Sequence, residues 1–174
     1  MSCKKIKASA FIITAVAVCA ALYTFKAPNS EAANKAGKTY GDWKIACEKN
    51  QSTKKEVCFA QQSVSVTQDE KQVHIATYQF MYSGNNLKLI EILPQGILLQ
   101  PGTSIIAGDK IIGNAKFTVC QNNTCLAVAD ISKDDLSIIL KSESVSIGMF
   151  NHDAKQANLV LSTKGLQEVL AEIK

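Results

Sequence analysis

Four cysteines, two histidines and two adjacent aspartates carry most of the chemistry this chain could perform. Cys120 and Cys125 flank a polar loop in "FTVCQNNTCLAV", and Cys47 and Cys58 bracket the longer polar stretch "EKNQSTKKEV". Such a set could hold zinc, run thiol redox chemistry or staple the fold. Structural zinc sites favour C-x2-4-C pairs, and the wide spacing of Cys47 and Cys58 fits that poorly. A redox pair usually reads C-x-x-C. An even cysteine count in an oxidising compartment reads as structural disulfides.

The remaining candidates are weaker. His74 lies in an apolar strand-like run, where a core or half-buried histidine is the simplest reading, and His152 lies in the turn "NHDAK". Together they could ligate a metal, but spacing supplies no third ligand. Asp134 and Asp135 resemble a paired carboxylate, yet their place at the start of a helical pattern is explained by the macrodipole. No G-x-S-x-G, phosphate-binding loop or H-E-x-x-H motif occurs. No catalytic residue, metal or other cofactor is therefore expected.

The compartment follows from the N-terminus. Lys4, Lys5 and Lys7 precede the apolar run "ASAFIITAVAVCAALYTF", and Ser30 and Ala32 supply small residues after it. This is the layout of a secretory signal over residues 1–33, with cleavage after Ala32 or Ala33. The apolar run, Ala8 to Phe25, is also just long enough to remain as a membrane anchor, and Cys19 offers a lipidation alternative. Each reading exports residues 34–174 as a single domain, in the periplasm or cell envelope. Membrane contact is then expected only through an uncleaved N-terminal segment. Cys3 and Cys19 fall in the leader, so Cys47, Cys58, Cys120 and Cys125 remain for pairing.

Charge narrows the partners. From residue 34 onward 15 lysines face 14 acids, and the chain of 174 residues contains no arginine. Nucleic-acid binders cluster basic charge and rely on arginine forks, so no nucleic-acid partner is expected. A protein or envelope component is the expected partner class.

Around the cysteines run short segments rich in Val, Ile, Phe, Tyr and Thr. These are "DWKIAC", "VCFAQQSVSV", "VHIATYQFMY", "LKLIEIL", "GILL", "SIIA", "KFTVC", "CLAVAD", "SVSIGMF" and "NLVLS", separated by Gly-, Pro- and Asn-rich turns. The pattern predicts an all-β sandwich or barrel. "FTVC" and "CLAV" form a hairpin that sets Cys120 opposite Cys125, within disulfide reach, and Cys47 and Cys58 pair by elimination. Trp43, the only tryptophan, is expected to anchor the core near the first disulfide. Two helices interrupt the strands. "SKDDLSIILKS" carries Ser132 as cap, with Leu136, Ile139 and Leu140 on one face. "GLQEVLAEIK" carries the stripe Leu166, Val169, Leu170 and Ile173, expected to dock on the sandwich.

With these residues in place, the chain resembles the invasion-associated locus B family of exported bacterial proteins from about Tyr40 to Ile173. "YGDWKIAC" is similar to the family's aromatic-Gly-Asp-Trp segment and first cysteine, and "CFAQQ" carries the second. "LPQGILLQPG" resembles a Leu-Pro-x-Gly-x-x-Leu-x-x-Gly segment, "FTVCQNNTC" the second cysteine pair, and "STKGLQEVL" the closing stretch. Thr124, Leu166 and Val169 depart from the family pattern in ways conservative for packing. The resemblance implies an immunoglobulin-like β-sandwich in the cell envelope, associated in some members with host-cell invasion or envelope integrity. It brings no catalytic residues with it. The rival functional reading is a small periplasmic enzyme or thiol-redox protein that uses its cysteines.

Overall fold

Alternation of apolar and polar residues builds the fold, because in an extended strand every second side chain meets the same face. In a computed structural model that describes residues 34–51 and 53–174, ten strands form. They are β1 (Thr39–Tyr40), β2 (Trp43–Lys49), β3 (Glu56–Gln68), β4 (Lys71–Ser83), β5 (Asn86–Pro94), β6 (Thr103–Ala107), β7 (Lys110–Gln121), β8 (Thr124–Ile131), β9 (Ser144–Phe150) and β10 (Gln156–Ser162). Two helices join them, α1 (Lys133–Lys141) and α2 (Leu166–Ile173). The leader expected over residues 1–33 lies outside the described residues.

The strands run antiparallel in the order β1-β2-β3-β4-β5-β8-β7-β6-β9-β10. β7 belongs to both halves: Ala115 pairs with Thr103 of β6, and Lys116 pairs with Val128 of β8. The two layers are therefore one ten-stranded sheet folded over at β7. Trp43, Tyr78, Phe80, Leu89, Ile105, Ile147 and Leu161 fill the space between them. Asn122 and Asn123 both adopt positive φ (50° and 63°) between Gln121 and Thr124. Two left-handed residues make the tight turn whose twist matches antiparallel strands, and asparagine tolerates that conformation better than most residues.

The helices form where expected. The Ser132 hydroxyl accepts the Asp135 N–H at 3.1 Å, and the Asp135 carboxylate accepts the Ser132 N–H at 3.3 Å, a reciprocal cap. Ile139 is buried, and Leu136 and Leu140 are partly so. In α2, Leu166, Val169 and Leu170 are buried, and the helix lies against β1, β2, β3 and β4.

Two sequence expectations need correction. "GILL" forms no strand. Ile97 makes one isolated bridge to Asn151, and Leu98 and Leu99 stay exposed, because Gly96 (φ 94°) and the Pro101–Gly102 turn confine the segment. His74 is exposed rather than half-buried. A bulge shifts the β3–β4 register between Val64↔Ala76 and Ser65↔His74, so the inward alternation of Ala76, Tyr78 and Phe80 stops short of it. Beyond the bulge the β3–β4 hairpin carries an exposed cross-strand pair, Val66 and Val73. Thr39–Tyr40 pairs with β2 although two residues give no readable period.

Candidate functional site at the seam of the sheet

A folded-over sheet has two ends, and here they approach each other. β2 pairs with β3 only from Glu56 to Gln61, so from Gln62 onward β3 keeps β4 as its one strand neighbour among the described residues. β10 pairs with β9 alone and ends the other side of the sheet. Gln62 bridges the two ends. Its amide nitrogen donates to the Ser162 carbonyl oxygen at 3.2 Å, and its amide oxygen accepts the Ser162 N–H at 2.9 Å. A side-chain amide thus makes the two-bond contact that a neighbouring strand would make. Trp43 Nε1 donates to the same Ser162 carbonyl at 2.9 Å, and its ring meets Phe80 at 5.5 Å between centroids.

Backbone packing closes the same end. Gly41 precedes the Asp42–Trp43 pair and Gly165 precedes α2. The Asp42 N–H donates to the Lys164 carbonyl at 3.1 Å. Lys38 Nζ pairs with Glu172 Oε1 at 2.9 Å; this raises the lysine's pKa and lowers the glutamate's, chiefly through the shared hydrogen bond. Trp43 is buried at this end beside Phe80 and Ser162, on the same face of β2 as Cys47 but at the strand's opposite end.

A groove of about 530 Å³ opens beside the Gln62–Ser162 bridge, lined by Asp42, Val64, Ser65, Glu143 and Val160 among others. Its charged lining residues are both acids, and Val160 is 55% exposed.

A second polar group lies inside the sandwich and escaped the sequence reading. Tyr78 and Glu91 are cross-strand partners on β4 and β5, both 0% exposed. The Thr103 hydroxyl donates to Glu91 Oε2 at 2.7 Å, while Glu91 Oε1 and the Tyr78 hydroxyl have no hydrogen-bond partner among the described residues. Burial raises the Glu91 carboxyl to about 7 against the pull of the Thr103 bond. Burial, then the Glu91 charge, also raises the Tyr78 phenol. The group resembles acid–base machinery but is sealed from solvent, so no substrate reaches it in this conformation. The signal was in "LKLIEIL": Leu87, Leu89, Glu91 and Leu93 share one face, and a charge in an inward series marks a buried polar site.

The cysteines close as two cross-strand disulfides. Cys47 joins Cys58 between directly opposed residues of β2 and β3, and Cys120 joins Cys125 between opposed residues of β7 and β8. Cys125 is buried and Cys120 exposed. The other candidates stay apart. His74 Nε2 meets Thr77 Oγ1 at 3.1 Å, His152 pairs with its neighbour Asp153 at 3.3 Å, and Asp134 and Asp135 sit at the start of α1. Among the described residues no three His, Cys, Asp or Glu side chains gather as metal ligands.

The model of the invasion associated locus B (IalB) protein family matches residues 43–174, from Trp43 to the last residue. The chain belongs to the IalB family. Among solved structures it is similar to invasion associated protein B from Bartonella henselae, at 16% identity and a TM-score of 0.67, covering 78% of this chain and 92% of that one. That likeness is one of fold. No curated protein sequence matches. In this IalB-family chain the matched region runs from the tryptophan at the seam, through both disulfides, to the helix that packs beside it.

Proposed function

We propose that the chain is an exported envelope protein that works as a non-enzymatic interaction module, supporting envelope integrity or host-cell invasion. The observation that carries this reading is the pair of cross-strand disulfides in a member of the IalB family. Disulfides persist in oxidising compartments and are rare in the cytosol. Each joins opposed residues of one hairpin, the position of a staple, and neither has the C-x-x-C spacing usual for a redox pair. Residues 1–33 act as the export leader, cleaved or retained as an anchor, and residues 34–174 are the exported domain. No helix of the described residues is long and apolar enough to cross a membrane.

Crosslinking in the native envelope, with identification of the captured species, tests the interaction reading. A discrete partner supports it; a chain that crosslinks to nothing sinks it. Thiol titration of the non-reduced protein tests the redox rival. Structural pairs resist mild reductant, whereas a readily reduced disulfide with a low-pKa thiol would favour an enzyme.

A further inference from the structure

The gap between β3 and β10 has features that a finished sheet edge lacks. Thr163 donates its N–H to the Glu143 carbonyl, which continues the β9–β10 ladder. Successive residues of an antiparallel strand aim their N–H and C=O groups to opposite sides. Leu161 and Leu159 therefore face β9, and Ser162, Val160 and Asn158 face the gap. Ser162 confirms the direction, since both of its backbone groups bond to Gln62. Val160 and Asn158 repeat that orientation, and among the described residues nothing bonds their backbone groups across the gap.

Natural proteins guard such edges with lysine, proline, bulges or covering loops. β10 reads "QANLVLS", without charge or proline, and pairs with β9 in unbroken register over all 7 residues. Across the gap, β3 from Gln62 to Gln68 offers a second strand edge without a neighbour. Gln62 fills the first rung with a side chain, and the groove continues from that rung past Val64 and Val160.

We propose that this gap is a strand-docking site, in which an extended segment of a partner protein lies along β10 and faces β3 as an added strand. Main-chain bonds to Val160 and Asn158 would supply affinity, the usual currency of strand addition. Specificity would come from two features of the lining. Val64, packed against the core, and Val160, exposed on the outer face, favour small apolar side chains on both faces of the added strand, and the acids Asp42 and Glu143, with no basic residue lining the groove, favour a lysine or arginine at one end of the segment. A groove walled by β3 suits a single extended segment better than the edge of a second folded copy. The proposal rests on the interaction reading above and names its class of partner.

Proline separates the outcomes. At Val160 or Asn158 it removes an N–H that points into the gap and leaves the β9 ladder whole. The native protein is mixed with a synthetic peptide as long as β10, alternating valine and threonine with a lysine at each end. Saturable binding that slows amide exchange at Asn158 and Val160 is expected, weakened about tenfold or more in Val160→Pro and retained in Val160→Thr. Asn158→Pro is the substitute if Val160→Pro does not fold, as read by its melting curve. Absence of slowed exchange at millimolar peptide overturns the proposal. So does a native protein that sediments as a dimer broken by Val160→Pro, because a second copy would then occupy the edge. In the native envelope, Val160→Pro should lose the partner that the unsubstituted chain crosslinks. If the partner is kept, strand docking falls and the interaction reading stands. If even the unsubstituted chain crosslinks nothing, the interaction reading falls and the peptide alone decides the docking site.

Discussion

Gly41 and Gly165 lie back to back. A Cβ on Gly165 would stand 2.0 Å from the Tyr40 carbonyl oxygen, and one on Gly41 would stand 2.3 Å from the Lys164 carbonyl oxygen. Gly165 also holds φ at +84°, which side chains rarely adopt. Gly165→Ala is therefore expected to destabilise the domain by about 3 kcal/mol or more, combining backbone overlap with a left-handed penalty. Gly84, at φ +62° with open space around it, is the control. Gly84→Ala should cost about 1 kcal/mol. Urea unfolding of both variants checks the contrast.

Glu91 makes stability depend on pH with an unusual sign. Its folded-state pKa, about 7, lies above the ordinary value of 4.5, so the folded chain holds the proton more tightly than the unfolded one. The stabilisation is complete below about 4.5, declines as pH rises towards 7, and is absent above that. Glu91→Gln, which cannot ionise, should flatten this fall, a difference of about 3 kcal/mol at most between the ends of the window. The Lys38–Glu172 pair slopes the other way in acid but is common to both proteins. Chemical denaturation from pH 4 to 8, compared between the two, isolates Glu91.

Leu170 is buried under α2, whereas Gln167 points to solvent. Leu170→Ala should cost about 2 to 5 kcal/mol through lost burial and the cavity left behind. Gln167→Ala should barely move the melting temperature. An unchanged melt for Leu170→Ala would mean that the helix packs elsewhere.

The disulfides should rank by the loop each one closes, 11 residues apart for Cys47–Cys58 and 5 for Cys120–Cys125. Replacing both members of the first pair with alanine should cost about 3 kcal/mol and of the second about 2, on the chain-entropy account. Unfolding midpoints measure the ranking, and a non-reducing peptide map that links Cys47 to Cys120 would refute the pairing itself.

Most strands were legible in the sequence because their period is local: "LKLIEIL" and "SVSIGMF" declare their inner faces within one segment. The Cys120–Cys125 pairing was legible because the "QNNT" turn sets the register. α2 was legible from four residues at helical spacing. The double membership of β7 was not, because the period inside "KIIGNAKFTVC" does not say which strand it joins. The exposure of His74 was hidden by a bulge, which a simple alternation carries straight past. Gln62 is one of two adjacent glutamines in "CFAQQ" with nothing local to set it apart, and only β10, 100 residues later, explains its burial. Glu91 could have been found by asking why a charge interrupts an inward series.

Chain growth feels the seam most directly. Each disulfide closes within a single hairpin, but Gln62, Trp43 and Lys38 wait for partners 100, 119 and 134 residues downstream. A polypeptide that emerges N-terminus first can staple Cys47 to Cys58 while Trp43 still lacks Ser162 and α2. The first strands must then persist with an open apolar flank until the last residues arrive, an interval in which uncovered strand edges invite aggregation. Completion of the fold is thereby tied to completion of the chain, and a product truncated before Ser162 would keep its staples but have no means of shutting the sheet.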